Sequence, residues 1–525
     1  MRERRYPIGI QTFSEIRKGG YIYIDKTDLV WKMANEAKYI FLSRPRRFGK
    51  SLLSSTLHSY FAGEKALFEG LKIMKLEKEW EHYPVIQLDL STAKNKPDAE
   101  ELRRYLLLLL DPLTEKYGKK QEEKLPGEVL AGLIRRACEQ TGKQVVILVD
   151  EYDAPLLDVL HEERLNEFRR VMQEFYQPLK ASEAMVKFCF ITGITKFSQL
   201  SIFSTINNLL NVTMDPKYAA ICGITEDEFA NDMAPDIATL AEVYGCTTEE
   251  MRSKLKLQYD GYHFSEDSED VYNPFSLLKA FQRRKMDAFW FESGTPTFLI
   301  HQMQRFRTDI TTLEDMRVQS YDFDQPTEGM VDALPLLYQA GYLTIKDYDR
   351  MSQIYTLGIP NQEVRVGFTR GLLPAYIGLD NRQVNSGFAL KFWQALRKND
   401  LDLALREMQA YFASLPYVEG FKKKLQEVSN KEGFYEYTLY LIFTMLNVYT
   451  RTQVRTANGR ADVVVQMPDA IYLMELKVDK TAKEALEQID TKGYAIPYQT
   501  DGRKVVKAGI NFSSETKTLA DWVIV

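Results

Sequence analysis

At 525 residues and 60.8 kDa, the chain is too long for a single hydrophobic core, and roughly three or four domains of ordinary size are expected. With 45% hydrophobic and 27% charged residues it has the balance of a soluble globular protein, and no stretch approaches the ~20 apolar residues of a membrane span. The net charge of -5 does not advertise nucleic-acid binding over the whole surface, so any DNA or RNA contact must use a local basic patch.

The opening MRERRYPIGI is basic but is not followed by the apolar stretch of a secretion signal. The cysteines Cys138, Cys189, Cys222 and Cys246 have neither metal-ligand spacing nor a disulfide framework. Both observations lead us to expect a cytoplasmic protein with reduced thiols. No membrane partner is expected. None of the five histidines has a cysteine or histidine spaced for zinc.

From residue 1 to about 230, short apolar runs alternate with helical stretches, which predicts a parallel sheet covered on both faces by helices. The expected strands are Tyr39–Leu42, Val85–Leu90, Gln144–Val149 and Val186–Thr192. The first leads into Ser43-Arg-Pro-Arg-Arg-Phe-Gly-Lys-Ser51 and a helical run from Leu52 to Phe61, the strand, loop and helix order of a P-loop. Such a loop binds phosphate oxygens through backbone N–H groups and the helix N-terminus. Gly49 is a candidate nucleotide-binding residue, Lys50 is the candidate contact to the β- and γ-phosphates of ATP, and Ser51 is the candidate ligand of Mg²⁺. The usual first glycine is replaced by Arg44, followed by Pro45. Arg46 and Arg47 are candidates for phosphate contact or for contact with a neighbouring subunit, which leaves a homo-oligomer open.

Val145-Val-Ile-Leu-Val-Asp-Glu151 is an apolar strand ending in two acids, a Walker B pattern. Asp150 is the candidate to hold Mg²⁺ through its coordination shell, and Glu151 the candidate to polarise an attacking water. The alternative is a buried strand ending in a solvated acidic turn. The fourth strand ends in Thr192-Gly-Ile-Thr-Lys-Phe-Ser198, where Thr192 is a candidate γ-phosphate sensor or a hydroxyl capping a turn.

Residues 231–310 read as mostly helical, with the turn-rich Tyr259–Pro274 segment in the middle, and a helical or winged-helix-like subdomain is expected. Residues 311–400 mix short helices with an extended piece over Tyr355–Phe368, a connecting region. Residues 401–525 restart with helices over Leu401–Phe412 and Phe434–Tyr449. Strands Ala461–Gln466 and Ala470–Val478, a helix over Thr481–Thr491 and one closing strand should complete an α/β unit.

Asp462 opens one of those strands, and Glu475 and Lys477 lie on the next. In a hairpin the two carboxylates can converge on one or two Mg²⁺ ions, and the two-residue period puts Lys477 on the face of Glu475, where it can orient or deprotonate a water. An ordinary hairpin with a Glu/Lys surface pair is the plain alternative. Lys422, Lys423, Lys424, Arg451, Arg455 and Arg460 interleave with Tyr435, Tyr437, Tyr440 and Tyr449 as a candidate backbone-contacting surface, or a solvated helix face.

YIYIDKTDLVW at Tyr21–Trp31, RPRRFGKSLL at Arg44–Leu53, VDEYDAPL at Val149–Leu156, ITGITKFS at Ile191–Ser198, YDGYHF at Tyr259–Phe264 and WFESGTPTFLI at Trp290–Ile300 resemble the bacterial AAA-ATPase-like family. That family's own pattern carries the arginine-proline form of the P-loop. The resemblance implies ATP binding, ATP hydrolysis and a C-terminal nuclease-superfamily domain. There the order Glu436, Asp462, Glu475-x-Lys477, Gln488 resembles PD-(D/E)xK enzymes with a restriction-endonuclease-like fold, Glu436 being an accessory metal ligand. The expected function is an ATP hydrolase regulating an Mg²⁺-dependent nuclease that acts on DNA or RNA. The alternatives are a nucleotide-dependent signalling switch whose C-terminal domain binds without cutting, and a scaffold with both sites silent.

Overall fold

The computed structural model describes residues 4–157, 159–160, 163–196, 209–292, 297–306, 308, 313, 315–326, 330–368, 391–392, 394–396, 398–414, 449–456, 459–467, 470–516 and 518–525. Two compact units emerge, Met1–Trp290 with Asp315–Asn361, and Phe291–Glu314 with Gln362–Val525.

The first unit is built on β1 (Tyr39–Ser43), β2 (Val85–Asp89), β3 (Val145–Asp150), β4 (Val186–Gly193) and β5 (Leu210–Asn211). They pair in the order β2-β3-β4-β1-β5, and every pairing is parallel. All five residues of β1 and all six of β3 are buried, the continuous apolar run of a sheet covered on both faces. The expected strands are found within a residue or two of their predicted ends.

The covering helices follow their sequence signals. Ala99–Tyr117 starts at Asp98, whose side chain accepts from the Glu101 amide at 2.9 Å. Its Leu102, Leu106 and Leu110 are fully buried, while Leu108 is half exposed, so the leucine run there is one helix face. Pro126–Thr141 opens on proline and closes on Gly142 in the left-handed region.

Residues 226–283 are mostly helical. Helices Glu226–Asp232, Ala234–Tyr244, Thr248–Tyr259 and Pro274–Arg283 enclose a core that includes Phe229, Met233, Leu240, Met251, Tyr259 and Leu277. They are joined by the antiparallel pair β6 (Ile224–Thr225) and β7 (Val271–Tyr272). Thr225 and Thr247 each form a capping box with the glutamate three residues on.

Asp315–Asn361 adds the antiparallel strands β8 (Met316–Val318), β9 (Thr344–Asp349) and β10 (Ile354–Gly358), with a helix over Leu334–Gln339. The extended piece expected over Tyr355–Phe368 ends at Gly358, and residues 362–368 are helical. Pro360 has no N–H to continue a ladder, and the chain turns there instead.

The C-terminal sheet runs β11 (Tyr449–Thr456), β12 (Gly459–Gln466), β13 (Ala470–Val478), β14 (Lys504–Ser513) and β15 (Thr518–Ile524) in sequence order. β13 and β14 are parallel and the other pairings antiparallel. The helix between them, Ala482–Thr491, is capped by Thr481 and Glu484. Two closing strands are present where one was expected. Tyr449, expected at a helix end, opens β11, and the remainder of that expected helix, 434–448, lies outside the described residues.

Candidate nucleotide and metal sites

Every strand of the parallel sheet points its C-terminal end to one edge, where open α/β sheets bind ligands. Because β4 lies between β1 and β3, the loop after β1 and the acids ending β3 face each other across it. Gly49, with φ of 96°, caps the Lys50–Phe61 helix in a conformation that costs a side-chain-bearing residue strain. Lys50 is buried, and its Nζ donates to the carbonyls of Arg44 at 2.9 Å and Pro45 at 3.0 Å. Burial lowers the pKa of this ammonium, and the charges of Asp150, Glu151 and Asp153 oppose the shift. The Asp150 carboxyl is pushed up by burial, against a hydrogen bond from the Ser51 hydroxyl and the charge of Lys50. Loop lysine, loop serine and strand acid therefore occupy one small volume.

Glu151 sits at φ of 49°, pairs with Lys94 at 3.1 Å and donates its amide to Asp150 Oδ1 at 2.9 Å. Thr192 is fully buried, and its hydroxyl donates to the Leu42 carbonyl at 2.7 Å, tying β4 to β1. Arg47 turns to the middle helices, donating to the carbonyls of Phe289 at 2.7 Å and Trp290 at 3.1 Å and lying over the Phe275 ring. The Arg46 carbonyl accepts from the Trp290 indole at 3.2 Å.

The replaced glycine has a structural account. Arg44 is buried and donates to the carbonyls of Ser43, Thr213 and Tyr218, with its guanidinium 4.2 Å from the centre of the Phe264 ring. Burial lowers its pKa to about 10. Phe48 meets Tyr262 and Phe264 edge-on. The YDGYHF hexapeptide thus braces the phosphate loop from behind. Sequence reasoning quoted that motif without assigning it a role; its aromatic content was the available signal. Beside Gly49 a cavity of about 100 Å³ opens between the N-terminal segment and the helix after the loop, with walls including Ile22, Ile24, Leu52, Leu53, Ile221 and Leu278.

In the C-terminal unit Glu475 is fully buried on β13. Lys477 Nζ lies 3.4 Å from its Oε1, and the Gln488 amide donates to the same oxygen. β12 and β13 pair through Val463↔Met474, so Asp462 and Glu475 are the next positions along the two strands. Gly509 pairs with Glu475 from the other side. A Cβ there would stand 2.1 Å from the Ala482 carbonyl and 2.5 Å from the Leu486 amide, so this glycine lets the helix approach closely enough for Gln488 to reach Glu475. Sequence reasoning missed Gly509, because a glycine in a strand shows no sign of what crosses over it. Glu436, Lys422, Lys423, Lys424, Tyr435, Tyr437 and Tyr440 lie outside the described residues, as do the side chains of Asp462, Tyr449, Arg451, Arg455 and Arg460. Among the described residues no three His, Cys, Asp or Glu side chains form a metal-binding group, and no helix is long and apolar enough to cross a membrane.

The fold and the loop define a P-loop α/β protein with a separate C-terminal mixed-sheet domain. A family model described as "Predicted AAA-ATPase" matches residues 7–203, and one for the PD-(D/E)XK nuclease superfamily matches residues 430–522. The whole chain is similar to an uncharacterized protein from the vnfD 5' region of Azotobacter chroococcum mcd 1, 33% identical over 530 aligned positions that cover 100% of this chain and 99% of the other. The chain belongs to the AAA-ATPase-like family, in the form that carries a PD-(D/E)XK nuclease superfamily domain at its C-terminal end. It is thereby a nucleotide-binding and nuclease-related protein.

Proposed function

We propose that the N-terminal unit binds and hydrolyses ATP and that its nucleotide state regulates an Mg²⁺-dependent nuclease in the C-terminal unit, acting on DNA or RNA. The observation that carries the reading is the meeting of Lys50, Ser51 and Asp150 at the C-terminal edge of a parallel sheet, with Glu151 one residue further on. Their donor set fits a Mg²⁺–triphosphate: a hydroxyl and a carboxylate suit a hard cation, and an ammonium suits phosphate. Lys50 exchanges its two carbonyl partners for β- and γ-phosphate oxygens, and Gly49 with the following amides supplies further donors. Ser51 and Asp150 hold Mg²⁺, and Glu151 orients and deprotonates the attacking water.

In the C-terminal unit Asp462 and Glu475 would hold Mg²⁺, with Glu436 as accessory ligand, and the bound ion would supply Lewis-acid activation of a scissile phosphate. Lys477 positions the water, and Gln488 fixes the Glu475 rotamer. The buried Glu475 carboxylate needs positive charge nearby, which Lys477 supplies in part.

The test is metal-dependent cleavage of plasmid and single-stranded substrates with and without ATP, alongside ATP turnover. Lys50→Ala should abolish turnover, and Asp462→Ala and Lys477→Ala should abolish cleavage. A wild-type protein inert toward every polynucleotide, yet still binding ATP, would leave only the signalling switch.

A further inference from the structure

Asp315–Asn361 belongs to the N-terminal unit, yet the residues before it, Phe291–Glu314, and after it, Gln362 onward, belong to the C-terminal one. Both ends of this segment are therefore covalent crossings between the units. Within its own unit the segment is held against the phosphate site at two places. Gly341, at φ of 85°, lies so close to Pro45 that an added Cβ would meet the proline ring at 2.6 Å. The second place is Lys196, in the loop after β4. Its amide donates to Gln339 Oε1 at 2.7 Å, and its ammonium pairs with Asp324, the side chains being only 12% and 21% exposed. Gln339 in turn donates to the Gln325 carbonyl at 2.7 Å.

On the other side of Lys196, the amide and hydroxyl of Thr195 both donate to Asp153 Oδ2 at 2.7 Å, joined by the Ile194 amide at 3.0 Å. Asp153 lies two residues beyond Glu151. The Tyr152 hydroxyl donates to the Thr195 carbonyl at 2.9 Å, and the Arg44 amide donates to the Gly193 carbonyl at 3.2 Å. The end of β4 is thus bonded to the phosphate loop, to the acidic turn and, through Lys196, to Asp315–Asn361.

We propose that Asp315–Asn361 is the element through which the phosphate site governs the C-terminal unit, with the Lys196–Asp324 pair as its latch. The inference rests on the nucleotide-regulated reading above. A mostly buried ion pair suits a latch because half-separation leaves two charges in a low-dielectric setting, so the pair is either made or broken. Charge arriving on Lys50 changes the field at Asp150, Glu151 and Asp153, and the bonds to Thr195 carry a shift of Asp153 to Lys196.

The experiment uses the full chain, a non-hydrolysable ATP analogue with Mg²⁺, and amide hydrogen exchange read over 44–53 and over 330–345. In wild type the analogue should protect 44–53 and change exchange over 330–345. Asp324→Asn and, independently, Lys196→Met should keep the first effect and lose the second, together with any ATP dependence of cleavage. Protection of 44–53 with no change over 330–345 in wild type overturns the latch alone, as does a full response in both variants. Absence of protection over 44–53 overturns the nucleotide reading and the latch with it.

Discussion

The ring of Phe48, in the phosphate loop, meets the ring of Tyr262 edge-on with centroids 4.6 Å apart and planes at 74°. The relationship joins two motifs far apart in sequence and makes the loop's shape depend on packing as well as on glycine. With Arg44 held by three carbonyls and the Phe264 ring, the loop's entry is fixed by packing and hydrogen bonds.

Phe264→Ala tests that brace. It removes a buried ring together with its contacts to Phe48 and Arg44, at an expected cost of about 3 to 4 kcal/mol in stability. ATP affinity should fall with it, because the loop loses its backing. Urea denaturation and ATP titration of the same preparation measure both. Unchanged affinity in a folded variant would show that the loop holds its shape alone.

Thr192→Val separates a structural hydroxyl from a phosphate sensor. The hydroxyl donates to the Leu42 carbonyl inside the sheet, and its loss should cost about 1 to 2 kcal/mol. ATP turnover per folded molecule should be nearly unchanged, since the group is spent on β1. A collapse of turnover with stability intact would restore the sensor role.

The fold class was readable because its signals are local. Apolar runs such as Val145–Asp150 and Tyr39–Ser43 carry the pattern of doubly covered strands, and the helix expected over Thr481–Thr491 starts at its Thr481 cap. What escaped is long-range. That Arg44 is seated under Phe264, that Glu151 pairs with Lys94, and that Gly509 admits a helix all depend on elements distant in sequence. Some local signals were also overlooked. Thr450, Thr452 and Val454 alternate as β-branched residues, the period of β11. The polar Ser514–Glu515–Thr516 turn divides what was read as one closing strand into β14 and β15.

Asp260 should make stability depend on pH in the direction opposite to most acids. Burial raises its pKa from 3.8 to about 6, with Asp270 and Glu226 adding to the shift and the Gly261 amide and Lys256 opposing it. Between the unfolded and folded values the native state binds the extra proton. Its contribution is therefore fully present below about pH 4 and lost as pH rises through about 6. Asp260→Asn removes a carboxylate that is disfavoured at neutral pH and should stabilise by about 3 kcal/mol at pH 7.5, and by roughly half as much at pH 5. Thermal melts of both proteins at the two pH values check the sign, and an equal gain at both would rule out titration as the cause.

Gly509→Ala addresses the C-terminal site without altering any side chain in it. The new methyl would overlap the Ala482 carbonyl and the Leu486 amide, so the Ala482–Thr491 helix must move outward at a cost of about 1 to 3 kcal/mol. Gln488 is carried on that helix and donates to Glu475, so its contact breaks while Glu475 and Lys477 stay on β13. If Gln488 matters by fixing the Glu475 rotamer, cleavage by Gly509→Ala should demand a higher Mg²⁺ concentration for half-maximal rate, and Gln488→Ala should reproduce that shift with a smaller loss of stability. A merely structural role predicts the stability loss in Gly509→Ala with the Mg²⁺ requirement of both variants equal to wild type, and that result would detach the helix from the metal chemistry.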